Sequence, residues 1–385
     1  MIVNKTYKLR IYPNKSQAEL MAKHFGSTRF VWNYFLAQRK EAYLENKKSL
    51  NYYDNAKALT LLKKEFEWLT EVNSQALQAS LKDLDTAYGR FFKKIATFPK
   101  FKSKRDAVDS FRCPQSIDIL GGKLSIPKFR EGIKIRLHRE VTGRILFATI
   151  SRTSTSKYFA AITCEAAHEA LPSTDKKIGI DLGIKDKAIC SDGTVFKNIN
   201  TTKKYAKKLA FTQRQLSKKI IGSSKRLKQL KKVAAVHETI KNVRRDNIHK
   251  TTHQIISENQ AIAVENLNVS GIIKNHKLAK AIADASWYEF VRQLKYKAKW
   301  NKRDFVKIDR WFPSSKTCNN CNFINQTLLL KDRTWTCPEC KTILDRDLNA
   351  SKNILKQGLK ILSGSGADSD VKQKPVEASG SKQSL

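Results

Sequence analysis

The stretch Lys177-Ile178-Gly179-Ile180-Asp181-Leu182-Gly183-Ile184-Lys185-Asp186-Lys187-Ala188-Ile189-Cys190-Ser191-Asp192-Gly193 decides how the rest of the chain is read. An apolar run broken by one aspartate, then a second run ending in Asp-Gly, predicts two adjacent strands joined by tight turns. A carboxylate between Ile180 and Leu182 is costly to bury unpaired, so Asp181 needs a cation or a hydrogen-bond donor. A turn aspartate capping the next backbone N–H is the plainer alternative.

Two more acids stand at the ends of remote apolar runs. Ala261-Ile262-Ala263-Val264 is too short for a helix and ends at Glu265-Asn266-Leu267. Asp345-Arg346-Asp347-Leu348-Asn349-Ala350-Ser351 opens a helix just after a cysteine cluster. Three carboxylates converging from separate elements suit paired Mg²⁺ ions that clamp the attacking and leaving oxygens of a phosphoryl transfer. The implied reaction is hydrolysis of a phosphodiester.

The cysteines give a second, independent signal. Cys318, Cys321, Cys337 and Cys340 form C-x2-C-x15-C-x2-C, a spacing that fits tetrahedral Zn²⁺ held by four thiolates. Four thiolates leave no open position, so the expected zinc is structural. Cys113, Cys164 and Cys190 lie in apolar contexts and read as buried and inert.

With 74 Lys and Arg against 35 Asp and Glu, the chain carries a formal charge of +39, which points to a polyanionic partner, nucleic acid first. A membrane surface is the alternative, but no apolar run approaches ~18 residues, and the polar start at Asn4-Lys5 does not read as a secretory leader. The expected location is the cytoplasm, nucleoid-associated. A length of 385 residues, 41% of them hydrophobic, predicts about two or three domains with true cores.

In chain order, residues 2–12 alternate as a half-exposed strand, Pro13 ends it, and Ser16-Gln17-Ala18-Glu19 reads as a capping box. Apolar spacing of three and four then predicts helices to about Lys94. Phe98-Pro99-Lys100-Phe101-Lys102-Ser103-Lys104-Arg105 interleaves rings with cations and fits either a nucleic-acid groove or a solvated loop. Short alternating strands from Ser110 to Ala166 predict a small β-barrel, with the helical block inserted after its first strand. From Thr201 to Lys250 a basic helical hairpin is expected, a phosphate-binding arm in which Arg244, Arg245 and Lys250 are candidate contacts. His249 is a weak candidate base. A helix with the face Trp287, Phe290, Val291, Leu294 and Ala298, and a strand at Phe305-Val306-Lys307-Ile308, complete the core.

Several of these blocks carry a family resemblance. Ile178-Gly179-Ile180-Asp181-Leu182-Gly183-Ile184-Lys185-Asp186, Val264-Glu265-Asn266-Leu267, Trp311-Phe312-Pro313-Ser314-Ser315-Lys316-Thr317-Cys318 and Asp345-Arg346-Asp347-Leu348-Asn349-Ala350 resemble the TnpB family. Tyr7-Lys8-Leu9-Arg10-Ile11-Tyr12-Pro13-Asn14 fits it too, so the resemblance spans nearly the whole chain. These are transposon-encoded, RNA-guided DNA endonucleases with a RuvC-like core, related to type V CRISPR effectors.

The resemblance implies a multidomain α/β and α+β protein. Residues 173–310 and 341–361 would form an RNase H-like (RuvC) core, 311–340 an inserted zinc ribbon, 1–13 and 101–172 a wedge β-barrel, 14–100 an inserted helical recognition domain, and 362–385 a disordered tail. It implies Asp181, Glu265 and Asp347 as ligands of two Mg²⁺ ions, with Asp347 preferred to Asp345 because it occupies the Asp-x-Asn-Ala position; Asp345 would be a cap or a partner that supports the ligands. It implies a monomer that carries a guide RNA from the transposon right end and cuts double-stranded DNA beside a short motif, with Tyr52 and Gln78 as candidate motif readers. The chain departs from the pattern where Asn322 and Lys341 replace the glycines after the cysteine pairs and Leu344 replaces a histidine. Rival readings are a nuclease-inactive RNA-guided repressor, a strand-transfer transposase and a simple zinc-ribbon DNA-binding factor.

Overall fold

The computed structural model describes residues 1–104, 108–329 and 331–364. Clustering of contacts divides them into two units, residues 2–167 and residues 168–364, with Met1 joining the second.

The first unit opens with β1 (Ile2–Tyr12), whose alternation buries Tyr7, Leu9 and Ile11. Three helices follow, α1 (Lys15–Asn46), α2 (Tyr52–Glu65) and α3 (Ser74–Phe92). The chain then returns through β2 (Val108–Cys113), β3 (Asp118–Leu120), β4 (Lys123–Ser125), β5 (Ile133–Arg136), β6 (Arg144–Thr153) and β7 (Tyr158–Ala167). All seven strands form one antiparallel sheet in the order β2-β6-β7-β1-β5-β4-β3. A continuous ten-residue register with β7 places β1 in the middle, although the helices separate it from every partner in sequence.

One local reading is corrected here. The box that starts α1 is Asn14 with Gln17, not Ser16 with Glu19: Gln17 N donates to Asn14 Oδ1 at 2.8 Å, and Asn14 N donates to Gln17 Oε1 at 3.1 Å. An extended Asn14 straight after Pro13 is the better N-cap, and Ser16 donates to it instead. The Phe98–Lys104 segment is exposed except at Pro99 but is tethered to α1. Trp32 Nε1 donates to Lys100 O at 3.0 Å, the Asn33 side-chain amide exchanges two bonds with the Lys102 backbone, and the Lys102 ammonium sits 3.8 Å from the Trp32 ring centre. Arg105 lies outside the described residues.

The second unit begins with β8 (Lys177–Asp181), β9 (Asp186–Cys190) and β10 (Val195–Lys197). A helical hairpin, α4 (Thr201–Ser217) and α5 (Ser224–Glu258), turns at Gly222 with φ +86° and is capped by Ser223. Then come β11 (Ala261–Val264), α6 (Val269–Ile272), α7 (His276–Ala285), α8 (Trp287–Trp300) and β12 (Asp304–Lys307). The small hairpin β13 (Thr334–Thr336) and β14 (Ile343–Asp345) leads into α9 (Arg346–Gly364). The left-handed backbone at Ser286 separates α7 from α8. α9 also runs past residue 361 to Gly364, and the rest of the expected tail, 365–385, lies outside the described residues.

The five-stranded sheet has the order β10-β9-β8-β11-β12, antiparallel on the β9 side and parallel from β8 through β12. Helices α5 and α8 cover one apolar cluster, built on Ile180, Val264, Ile255, Phe290 and Leu294, while α9 lies across the strands through Ile354 against Ala263, Val306 and Ile308. Two glycines allow that approach. A Cβ on Gly179 would stand 2.1 Å from the Ser351 carbonyl oxygen, and one on Gly358 would stand 2.4 Å from the Ala263 Cβ. Gly358→Val is therefore expected to cost ~1–3 kcal/mol or more by overpacking, read as a fall in thermal midpoint, and to lower cutting because α9 carries Asp347.

Candidate active site

The register of the parallel strands positions the first two acids. Ile180 pairs with Val264, so Asp181 at the end of β8 and Glu265 just after β11 emerge side by side at the carboxyl ends of neighbouring strands. Their carboxyl groups are in hydrogen-bond contact, and the Leu182 amide donates to Glu265 Oε1 at 2.8 Å. Burial, and then the charge of Asp347, raise the Asp181 carboxyl above the usual carboxylate range; burial and the charge of Asp181 do the same to Glu265. A half-buried pair held this close repels itself when ionised, a cost that a bound cation would relieve.

Asp347 reaches the pair from the first turn of α9. The cap is Asp345, whose Oδ1 accepts from the amides of Asp347 at 3.1 Å and Leu348 at 2.8 Å. Asp347 acts on Asp181 through its charge, and Arg333 Nη1 lies 3.4 Å from its Oδ2. All-oxygen donors of this kind fit a hard cation such as Mg²⁺. As a set the three carboxylates are spread more widely than the cysteines, the one group among the described residues whose ligand atoms all lie within 4.8 Å.

The four sulfurs fit zinc closely. Cys318 Sγ lies 3.6 Å from Cys340 Sγ, and Cys321 Sγ lies 3.5 Å from Cys337 Sγ. Both are far beyond a disulfide bond and close to the ~3.8 Å edge of a tetrahedron with ~2.3 Å Zn–S bonds. Hydrogen bonds from Thr342 hold the Cys340 thiol low, at about 5, so a thiolate is available there at neutral pH. Each knuckle closes with a backbone bond, from Asn322 N to Cys318 O and from Lys341 N to Cys337 O, and both Asn322 and Lys341 are left-handed. Lys341 sits there at φ +57° with no compensation for its Cβ, so Lys341→Gly is expected to stabilise the ribbon by a few tenths to about 1 kcal/mol, seen as greater resistance to a zinc chelator.

Sequence reading missed the residues that join ribbon to helix. Asn349 and Asn353, both buried on α9, reach into the loop before the first cysteine pair. Asn349 accepts from Asn319 N at 2.9 Å and donates to Thr317 O at 2.7 Å; Asn353 donates to Ser314 O at 2.8 Å and to Thr317 O. Two asparagines four apart on a face with Ala350 and Ile354 were the available signal, because asparagine is a poor helix former unless its amide is used.

The nucleic-acid candidates fare unevenly. Arg244 lies against the core, bonded to Asp284 Oδ1 at 2.7 Å and to Thr202 at 3.0 Å, so its visible task is to fasten the α4–α5 hairpin, not to meet a phosphate. Lys187, 1% exposed, bonds to Asn247 of the same hairpin. Arg245 and Lys250 are exposed, the latter paired with Asp246 at 2.8 Å. His249 has its pKa lowered by burial and by Lys297 and Arg245, so it stays neutral, with its Nε2 3.4 Å from Arg245 Nε. In the first unit Gln78 is exposed on α3, and Tyr52 is half-buried at the start of α2 beneath Lys82.

Two cavities flank Glu265. One, of about 200 Å³, is lined by Leu182, Trp287, Tyr288, Lys295 and Lys307; the other, of about 350 Å³, by Asn268, Ile308, Arg310, Trp311 and Phe312. No helix of the described residues is long and apolar enough to cross a membrane.

Comparison with known proteins extends this picture. Family profiles described as "Probable transposase", "Cas12f1-like, TNB domain" and "Helix-turn-helix domain" match residues 161–276, 287–354 and 1–48. The last of these spans β1 and the whole of one uninterrupted helix here. A Streptomyces pristinaespiralis protein named "Putative RNA-guided DNA endonuclease" is 37% identical over 93% of this chain and 90% of its own. InsQ of Escherichia coli strain K12, named in the same words, is 33% identical over 96% of this chain and 97% of its own. Among solved structures, a Cas12f1–sgRNA–target DNA complex aligns with a TM-score of 0.47 and 13% identity, covering 92% of this chain and 98% of that one. By their names the relatives define the class, transposon-associated RNA-guided nucleases. Within that class the chain belongs to the TnpB family.

Proposed function

We propose that this protein is an RNA-guided DNA endonuclease whose second unit is an RNase H-like, RuvC-type nuclease and whose first unit is a wedge barrel carrying a helical recognition domain. Asp181, Glu265 and Asp347 would hold two Mg²⁺ ions, and Cys318, Cys321, Cys337 and Cys340 a structural Zn²⁺. When bound, the magnesium ions supply Lewis-acid stabilisation of charge on the phosphate being cut. The chain's own contribution is to hold three carboxylates on rigid elements, to line the approach with Lys295, Lys307 and Arg310, and to brace α9 through Asn349 and Asn353. The observation that supports the reading is the strand register that sets Asp181 beside Glu265, together with the charge that Asp347 exerts on Asp181.

By family, the guide is an RNA from the transposon right end, the target is double-stranded DNA, and a short adjacent motif licenses cutting, with Tyr52 and Gln78 as candidate readers and Arg245 and Lys250 as candidate backbone contacts. A nuclease-inactive repressor is disfavoured because all three acids are in place. The test is to express the gene with its downstream flank, sequence any RNA that purifies with the protein, and challenge the complex with a plasmid library randomised beside a guide match. Cut plasmids sharing a short motif support the reading; an absence of bound RNA, or joined instead of cut ends, overturns it.

A further inference from the structure

We infer that Trp311 is a stacking platform for an unpaired base next to the phosphodiester being cut, with Lys295 and Lys307 taking the neighbouring backbone phosphate on the other side of Glu265. The inference rests on the nuclease reading above. Trp311 is 84% exposed, at the rim of the cavity that Glu265 shares with Arg310. Its neighbour Phe312 turns inward against Ile308 and Ile354, so the pair is divided, one ring for packing and one for solvent. The backbone is fixed beneath it: Trp311 N donates to Asp309 Oδ1 at 2.7 Å, and Asn353 of α9 grips Ser314 O at 2.8 Å. An exposed indole on a rigid loop braced by the helix of Asp347 offers a flat apolar face beside the acids at little entropic cost.

The cation pair is a separate observation. Lys295 and Lys307 line the other cavity that Glu265 borders, and neither has an ion-pair partner among the described residues. Two like charges held together without a counter-ion are relieved by an anion such as a backbone phosphate. Inside a duplex both faces of a base are covered by its neighbours, so an indole can stack only on a base already released. The arrangement therefore selects a single strand at the site of cutting.

The experiment uses the full-length protein with the RNA it carries, as wild type, Trp311→Phe, Trp311→Ala and Lys307→Ala. Binding of a mixed-sequence single-stranded oligodeoxynucleotide and of its duplex is measured without added magnesium, and cutting is measured with it. Trp311→Ala is expected to weaken single-strand binding roughly tenfold to a hundredfold, with duplex binding unchanged, and Trp311→Phe to retain most of the affinity. Single-strand quenching of tryptophan fluorescence should be larger in wild type than in Trp311→Phe, and Lys307→Ala should reduce the salt slope by about one. Unchanged single-strand affinity in Trp311→Ala, or equal quenching in wild type and Trp311→Phe, overturns the inference. The two readings fail separately: a wild type that cuts while Trp311→Ala matches it sinks only the stacking role, and a wild type that never cuts sinks the nuclease.

Discussion

Asp181→Asn is expected to lower DNA cutting by roughly a thousandfold or more while leaving RNA binding intact and making the magnesium-free protein more heat-stable. The loss follows because cation stabilisation of transition-state charge is worth several kcal/mol, and each ~1.4 kcal/mol is tenfold in rate. The gain follows from the raised pKa values of both acids: burial and then the charge of Asp347 raise Asp181, and burial and then the charge of Asp181 raise Glu265. An acid titrating higher in the folded state binds more protons folded than unfolded, so the wild type loses stability as pH rises out of the ordinary carboxylate range toward the raised values. Asparagine removes one of the two charges and with it that loss. The stability difference between variant and wild type should thus be large at neutral pH, vanish at acid pH, and shrink when magnesium is added. Calorimetry across pH, run beside a cleavage assay, checks both halves. A variant that cuts like wild type removes Asp181 from the chemistry, and a variant less stable at every pH makes it a structural residue.

Zinc removal is the second large effect. The ribbon's apolar cluster is Cys318, Leu328, Trp335, Cys337 and Leu344, too small a core to hold its shape unaided. Cys337→Ser should abolish stoichiometric zinc and loosen residues 317–345, seen as faster amide exchange there. Cutting should fall about a hundredfold, although zinc touches no reacting atom, because a displacement near 1 Å of a catalytic group costs about that much. The route is specific: Thr317 and Asn319 are bonded to Asn349 of α9, two residues beyond Asp347. Asn349→Ala should give a weaker copy of the same defect with zinc still bound. Full activity in zinc-free protein would show that α9 is positioned by the sheet alone.

The strands and the cysteine ribbon were legible because each has a local cause. A two-residue period marks β1, short β-branched runs mark β8 and β11, and a fixed cysteine spacing marks the metal site. Cap identity at Asn14 and the fate of Lys102 were not legible, since each depends on which groups the fold brings within hydrogen-bond reach. Arg244 shows the limit most plainly: inside a basic run it looks like every other cation, and only the approach of Asp284 from α7 withdraws it from the surface.

The amino-acid sequence by itself determined the family, the three carboxylates, the four thiols and the excess of positive charge, because these are properties of residue type and spacing. Tertiary structure alone decided that Ile180 lies opposite Val264, that α9 can press on Gly179 and Gly358, and that Asn349 and Asn353 fasten ribbon to helix. Those are contacts between segments many residues apart. Their free energy depends on shape and burial that no local pattern encodes.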